Sequence, residues 1–167
     1  EEMGLAHLSG KWTITPVGGI DKIPVLVALL QPQKAIKTVA AVFDIKKSDH
    51  QKADNLYKSK LLEKRNIITF DSITGDSECD IEDMFEVDFY LSLVNGEYKK
   101  ELIASVLEKN LPQGKRRIIS KIEDYFLKNP SVINGVFNHY RPARFFCENI
   151  SSLKMAIGSG TIDRFEV

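Results

Sequence analysis

Six acidic residues stand where they could work on a phosphate. Asp44 is the first acid after an apolar run, Lys37-Thr38-Val39-Ala40-Ala41-Val42-Phe43, and Asp76, Glu78, Asp80, Glu82 and Asp83 crowd a short stretch downstream. Carboxylates brought within a few ångströms repel one another and favour protonation, and a hard divalent cation relieves that repulsion. Mg²⁺ takes one or two carboxylates and fills its other positions with water and substrate phosphate. A site of this kind activates water and shields the charge that builds on a phosphodiester, so the chemistry in outline is phosphoryl transfer. The acidic run has a plainer reading as well. Carboxylates favour the positive end of a helix dipole, and Asp80 is placed to cap a helix beginning near Glu82. Cys79 beside the run is a soft ligand that suits Mg²⁺ poorly and reads as structural.

The elements that must position these groups follow from periodicity. Trp12-Thr13-Ile14-Thr15-Pro16-Val17 alternates as a short strand, with Trp12 a core residue, and Gly18-Gly19 breaks it. Asp21 and Pro24 mark the start of a helix over 23–31, which Pro32 closes. The run 37–43 suits a strand buried on both faces of a parallel sheet. Residues 49–65 are charged, with Ala53, Leu56, Tyr57 and Leu61 at helical spacing, and Asn66–Phe70 is another strand. Strands alternating with helices predict a parallel sheet, whose ligands gather beyond the carboxyl ends of the strands. From residue 80 on the pattern is helical, over 81–94, 97–109, 114–128 and 130–138. The expected organisation is therefore an α/β core over 1–95 and a helical extension over 96–167, without a sharp boundary.

The 167 residues suit one domain, or a domain with an appendage. Lysines and arginines number 23 and so do aspartates and glutamates, so net charge argues neither for nor against a nucleic acid partner. No run approaches the roughly 18 apolar residues that span a bilayer, and no secretory leader is visible, so the expectation is a cytoplasmic protein without a membrane role. Two distant cysteines, Cys79 and Cys147, make neither a zinc knuckle nor a disulfide framework. The chain opens on Glu1-Glu2-Met3 and closes on an amphipathic run over 161–167 that reads as a helix beginning, the pattern of a piece of a longer polypeptide.

These segments also carry a family resemblance. Residues 12–30, from Trp12 through Thr15-Pro16-Val17-Gly18-Gly19-Ile20-Asp21-Lys22 to Leu30, resemble the second strand and helix of the Toprim domain in the overcoming-lysogenization-defect (OLD) nucleases. Val42-Phe43-Asp44 resembles that family's aspartate-bearing strand, and Asp80-Ile81-Glu82-Asp83-Met84-Phe85 its acidic motif. Phe137-Asn138-His139-Tyr140-Arg141-Pro142-Ala143 and Thr161-Ile162-Asp163-Arg164-Phe165 resemble helical segments that follow the Toprim core. The resemblance runs from about residue 8 to the end.

It implies a Toprim-like parallel sheet with flanking helices, its first strand missing, and a Mg²⁺- or Mn²⁺-dependent endonuclease or nicking module acting on DNA in defence against phage. Asp44, Asp80, Glu82 and Asp83 would hold the metal. The basic stretch Lys115-Arg116-Arg117-Ile118-Ile119-Ser120-Lys121 resembles the segment that carries the family's catalytic lysine, with Lys121 the better candidate and Lys115 the second. ATP would be used only by an ATPase domain on sequence N-terminal to this chain, and a homodimer is a further implied partner. Two departures favour the alternative, a noncatalytic Toprim-shaped domain for DNA docking or assembly: the glutamate of the first strand is not in this sequence, and Lys46 stands where the family's Asp-x-Asp has its second acid. His139, set among Phe137, Tyr140, Phe145 and Phe146, reads as a structural, hydrogen-bonded histidine.

Overall fold

A computed structural model of the chain describes residues 9–114, 117–129 and 136–166. It is a mixed α/β protein with a small parallel sheet, divided into two compact units, Glu1–Cys79 and Asp80–Val167. The division falls well before the expected 95/96, for a simple reason: Asn95 and Gly96 lie inside a helix, Val87–Glu97, whose buried residues belong to the second unit's core.

In the first unit, α1 (Ile23–Leu30) begins where Pro24 costs nothing, because first-turn N–H groups have no intrahelical acceptor. Its Ile23 and Val27, one turn apart, are buried with Ala41, Leu56 and Leu62. Strand β1 (Ala41–Phe43) pairs in parallel with β2 (Ile67–Thr69) in the register Ala41↔Ile67, Val42↔Ile68, Phe43↔Thr69, and α2 (His50–Lys58) makes the crossover. A single helical turn, α3 (Asp71–Thr74), follows β2 and ends on Gly75 at φ 79°.

Three expectations need correcting here. Residues 12–17 form no strand, and Trp12 and Ile14 are 49% and 81% exposed instead of core. An alternating pattern becomes a strand only when a neighbour completes the hydrogen-bond ladder, and no described residue pairs with this one. The buried run 37–43 shortens to a three-residue strand, with Val42 at 56% exposure, so β1 is covered on one face only. Helix α2 stops at Lys58 instead of 65. The chain turns through Lys60 in a left-handed conformation (φ 58°), and the N–H groups of Leu61 and Leu62 return to the Leu56 carbonyl at 3.1 Å each. That reversal drops Leu62 into the core while leaving Tyr57 53% exposed.

The second unit is helical: α4 (Val87–Glu97), α5 (Ile118–Lys128), α6 (Tyr140–Glu148), α7 (Ile150–Leu153) and α8 (Ser159–Phe165). Its core is aromatic. Phe126 meets Tyr98 and Phe137 edge-on at 5.1 and 5.4 Å between centroids, and Phe85, Phe89 and Phe146 form a second group. The expected helix over 97–109 is absent. After Tyr98 the chain is held as a loop by the Asn95 carboxamide, which donates to the Val106 carbonyl (2.9 Å) and accepts the Val106 N–H (2.7 Å). A side chain that satisfies loop backbone in this way removes the need for helical hydrogen bonds. Of the helix expected over 130–138, residues 130–135 lie outside the described set and 136–138 are not helical.

Helices α4 and α6 cross at Gly96. A Cβ there would lie 2.6 Å from the Phe145 ring. Arg141 adds to the crossing, stacked 4.0 Å over the Tyr98 ring and paired with Glu97 and Glu101. Gly96→Ala gains helix propensity but overpacks the crossing, and the second effect is the larger, so the expected result in urea unfolding is a loss of about 1–2 kcal/mol. The double substitution Gly96→Ala/Phe145→Leu should recover most of it, because the ring is what the methyl group meets.

Candidate functional site

The expected acids divide between the two units. Asp44 belongs to the first, exposed and immediately past the carboxyl end of β1. The strand end is pinned there by Ile45, 1% exposed, which exchanges two 3.0 Å backbone hydrogen bonds with Cys79. Cys79 is fully buried, in keeping with a structural thiol.

Other polar groups share this rim of the sheet. The Lys47 N–H donates to Glu78 Oε1 (3.3 Å), His50 Nε2 lies 3.1 Å from the Ser77 carbonyl, and His50 Nδ1 lies 3.7 Å from Asp71 Oδ2. Asp71 escaped the sequence reading. It follows the end of β2 much as Asp44 follows β1, and the register that sets Phe43 beside Thr69 brings both acids to the same edge. Its Oδ1 is buried and has no hydrogen-bond partner. An orphaned carboxylate oxygen at the carboxyl end of parallel strands fits a small hard cation, for which one or two carboxylates suffice. Among the described residues no group of three or more His, Cys, Asp or Glu side chains could hold a metal ion, so protein ligands here would be few. The signal that could have revealed Asp71 is the one that revealed Asp44: an acid just past the apolar end of a strand.

Asp80, Glu82 and Asp83 belong to the second unit, around the 3₁₀ turn Ile81–Met84. Asp80 and Asp83 form a reciprocal capping box there, with the Asp80 N–H donating to Asp83 Oδ2 at 2.9 Å. The other Asp83 oxygen accepts the Ile118 N–H (2.7 Å), so Asp83 supplies the cap of α5 from 35 residues away. Burial pushes the Asp83 carboxyl above the usual range, against the pull of the two backbone N–H groups. Asp80, 3% exposed, is ion-paired with Arg117. Glu82 faces His139 Nδ1 at 3.4 Å, with the His139 side chain largely exposed. The Tyr90 hydroxyl is buried without a partner, and burial, followed by Glu82, holds its ionisation far above that of an ordinary tyrosine.

The structure thus joins the acidic segment to the basic segment through Arg117. Lys121 lies half-buried in the first turns of α5, its N–H bonded to the Arg117 carbonyl at 3.2 Å, and Lys115 lies outside the described residues. From the other side, Arg164 of α8 reaches the carbonyls of Asp83, Met84 and Phe85 at 3.3–3.4 Å. Two of the four expected metal ligands therefore hold the second unit's helices in place.

No family model, curated protein or solved structure matches the chain. Among the described residues no helix is long and apolar enough to cross a membrane.

Proposed function

We propose that this chain is a Toprim-type part of a Mg²⁺- or Mn²⁺-dependent DNA endonuclease of the OLD kind, hydrolysing phosphodiester bonds. The observation that supports the reading best is Asp44, presented to solvent at the carboxyl end of β1 in a parallel β–α–β unit, with the orphaned oxygen of Asp71 on the same edge. A divalent ion bound there would supply water activation and charge neutralisation at the phosphate. Asp44 would bind the ion directly, with Asp71 as its second carboxylate in place of an acid at Lys46. Glu82, Asp80 and Asp83 are the family-motif acids, and Lys121 or Lys115 would offset charge on the scissile phosphate. An ATPase domain elsewhere on the protein, and a second copy of the chain, complete the proposed assembly. Defence against phage is the biological role that this reading carries.

The test is nicking of supercoiled plasmid by the full-length protein in Mn²⁺. Asp44→Asn should lower the rate at least about a hundredfold, since even residues that merely support a metal ligand cost 10–100-fold, while circular dichroism stays unchanged. Cleavage at the wild-type rate by a folded Asp44→Asn protein removes Asp44 from the mechanism.

A second reading, a noncatalytic domain for DNA docking or assembly, is favoured by one observation: Asp80 and Asp83 are already engaged by Arg117 and by the Ile118 N–H. Calorimetry with Mn²⁺ separates the two, because a degenerate site takes up no ion at submillimolar concentration.

A further inference from the structure

The first unit also has a concavity away from the Asp44 rim. It is a half-open pocket of about 460 Å³ beside the residues that lead into the two strands, Ile36–Val39 ahead of β1 and Glu63–Asn66 ahead of β2. That volume falls in the range of small-ligand sites, about 300–1,000 Å³. The charge of its lining is one-sided: Lys37, Lys60 and Arg65 against Glu63 alone, in a chain whose formal net charge is zero. Arg65 Nε pairs with Glu63 at 2.7 Å, whereas neither Lys37 nor Lys60 has an ion-pair partner among the described residues. Two lysines on one concave wall, without ion-pair partners among the described residues, give it positive potential. An aromatic face completes the set, because Tyr57 lines the pocket and is 53% exposed. Gln31 closes one side, its carboxamide donating to the Leu61 carbonyl, and Asn66 adds a second amide.

Cations without partners bind phosphate, an exposed aromatic ring stacks on a base, and side-chain amides match the donors and acceptors of a base edge. From this combination we infer that the pocket binds a nucleoside 5′-phosphate, with the phosphate on Lys37 and Lys60 and the base against Tyr57. The inference does not depend on the nuclease reading, because the pocket lies at the amino ends of the strands, about 10 Å from the Asp44 edge given three residues per strand. Lys60 is the only described residue other than glycine with positive φ, at the turn after α2, and it lines the pocket.

The ligand could be a free nucleotide or the 5′-phosphorylated end of a DNA strand, and one set of NMR titrations on the full chain tells them apart. With 2′-deoxyadenosine 5′-monophosphate, saturable shifts are expected at the amides of residues 36–39 and 60–66, with inorganic phosphate binding more weakly at the same place. Lys60→Gly should weaken the nucleotide about tenfold, the size of one lost charge-assisted contact. Glycine accepts φ 58° without strain, so this substitution removes the ammonium and spares the turn. Tyr57→Ala should reduce the nucleotide to the affinity of inorganic phosphate. A 5′-phosphorylated tetradeoxyadenylate that binds at least about tenfold tighter than the mononucleotide identifies a strand end, and equal or weaker binding identifies the free nucleotide. The assignment is overturned if the mononucleotide causes no saturable shift at these amides up to about 10 mM, a concentration that would reveal affinities far weaker than the millimolar benchmark, or if Lys60→Gly binds it as the wild type does.

Discussion

Arg117→Ala is expected to destabilise the second unit by about 3–5 kcal/mol, the range for removing one partner of a buried ion pair. Asp80 is 3% exposed, and Arg117 is the cation set against its carboxylate. Truncating Arg117 removes this cation from a buried carboxylate at the point where the Ile81–Met84 turn meets the start of α5, next to the Asp83–Ile118 cap. Hydrogen exchange at the Ile118 and Asp83 amides should quicken in step with the loss measured in urea. Replacing the pair together, Asp80→Asn with Arg117→Met, should recover much of the stability, since burying two charges costs nearly as much desolvation as their attraction returns. The result also bears on function. If Asp80 is chiefly a metal ligand, its removal should abolish Mn²⁺ uptake and leave stability nearly intact; if it anchors α5, the order is reversed. An Arg117→Ala protein within about 0.5 kcal/mol of the wild type would show that the pair does not hold the unit together.

Local chemistry decides what can be read from the chain alone. Helix α1 is legible because its signals are local: Pro24 in the first turn, Pro32 beyond the end, Ile23 and Val27 one turn apart, although Asp21 pairs with Lys52 instead of capping it. The apolar run that ends at Asp44 was legible as a strand feeding an acid to the sheet edge, although only Ala41–Phe43 pairs. Residues 12–17 carry an equally good strand pattern and form none, because a strand is completed by its neighbour and not by its own side chains. The stretch 97–109 failed for the opposite reason. Its helical spacing is overruled by one carboxamide, Asn95, which satisfies both backbone groups of Val106.

The acidic motif shows the same limit on the functional side. Its types and spacing permit a metal site or a helix cap by Asp80, and both readings are open in the sequence. The partners that distinguish them, Arg117 and the Ile118 N–H, lie 37 and 35 residues downstream, and no local pattern couples them to Asp80 and Asp83. Asp71 is the converse case. Its position after β2 was readable, but the buried, unpartnered oxygen that gives it interest depends on the fold around it.

The register of α5 offers the other large effect. Phe126→Ala should cost about 3–5 kcal/mol, the usual loss for a large aromatic side chain cut from a core. Phe126 is fully buried and its ring sits edge-on to both Tyr98 and Phe137. The Tyr98 hydroxyl in turn accepts the Asn138 N–H at 2.9 Å, so the cavity would loosen α4, α5 and the approach to α6 at once. Phe126→Leu keeps most of the volume and should cost distinctly less. Leu127, the next residue along, is 75% exposed, and Leu127→Ala should change the unfolding free energy in urea by no more than about 0.5 kcal/mol. A helix rotated by one residue would exchange these two results. Equal losses at 126 and 127 would mean that α5 does not present this face to the aromatic core, and the anchoring of its first turn by Asp83 would have to be given up with it.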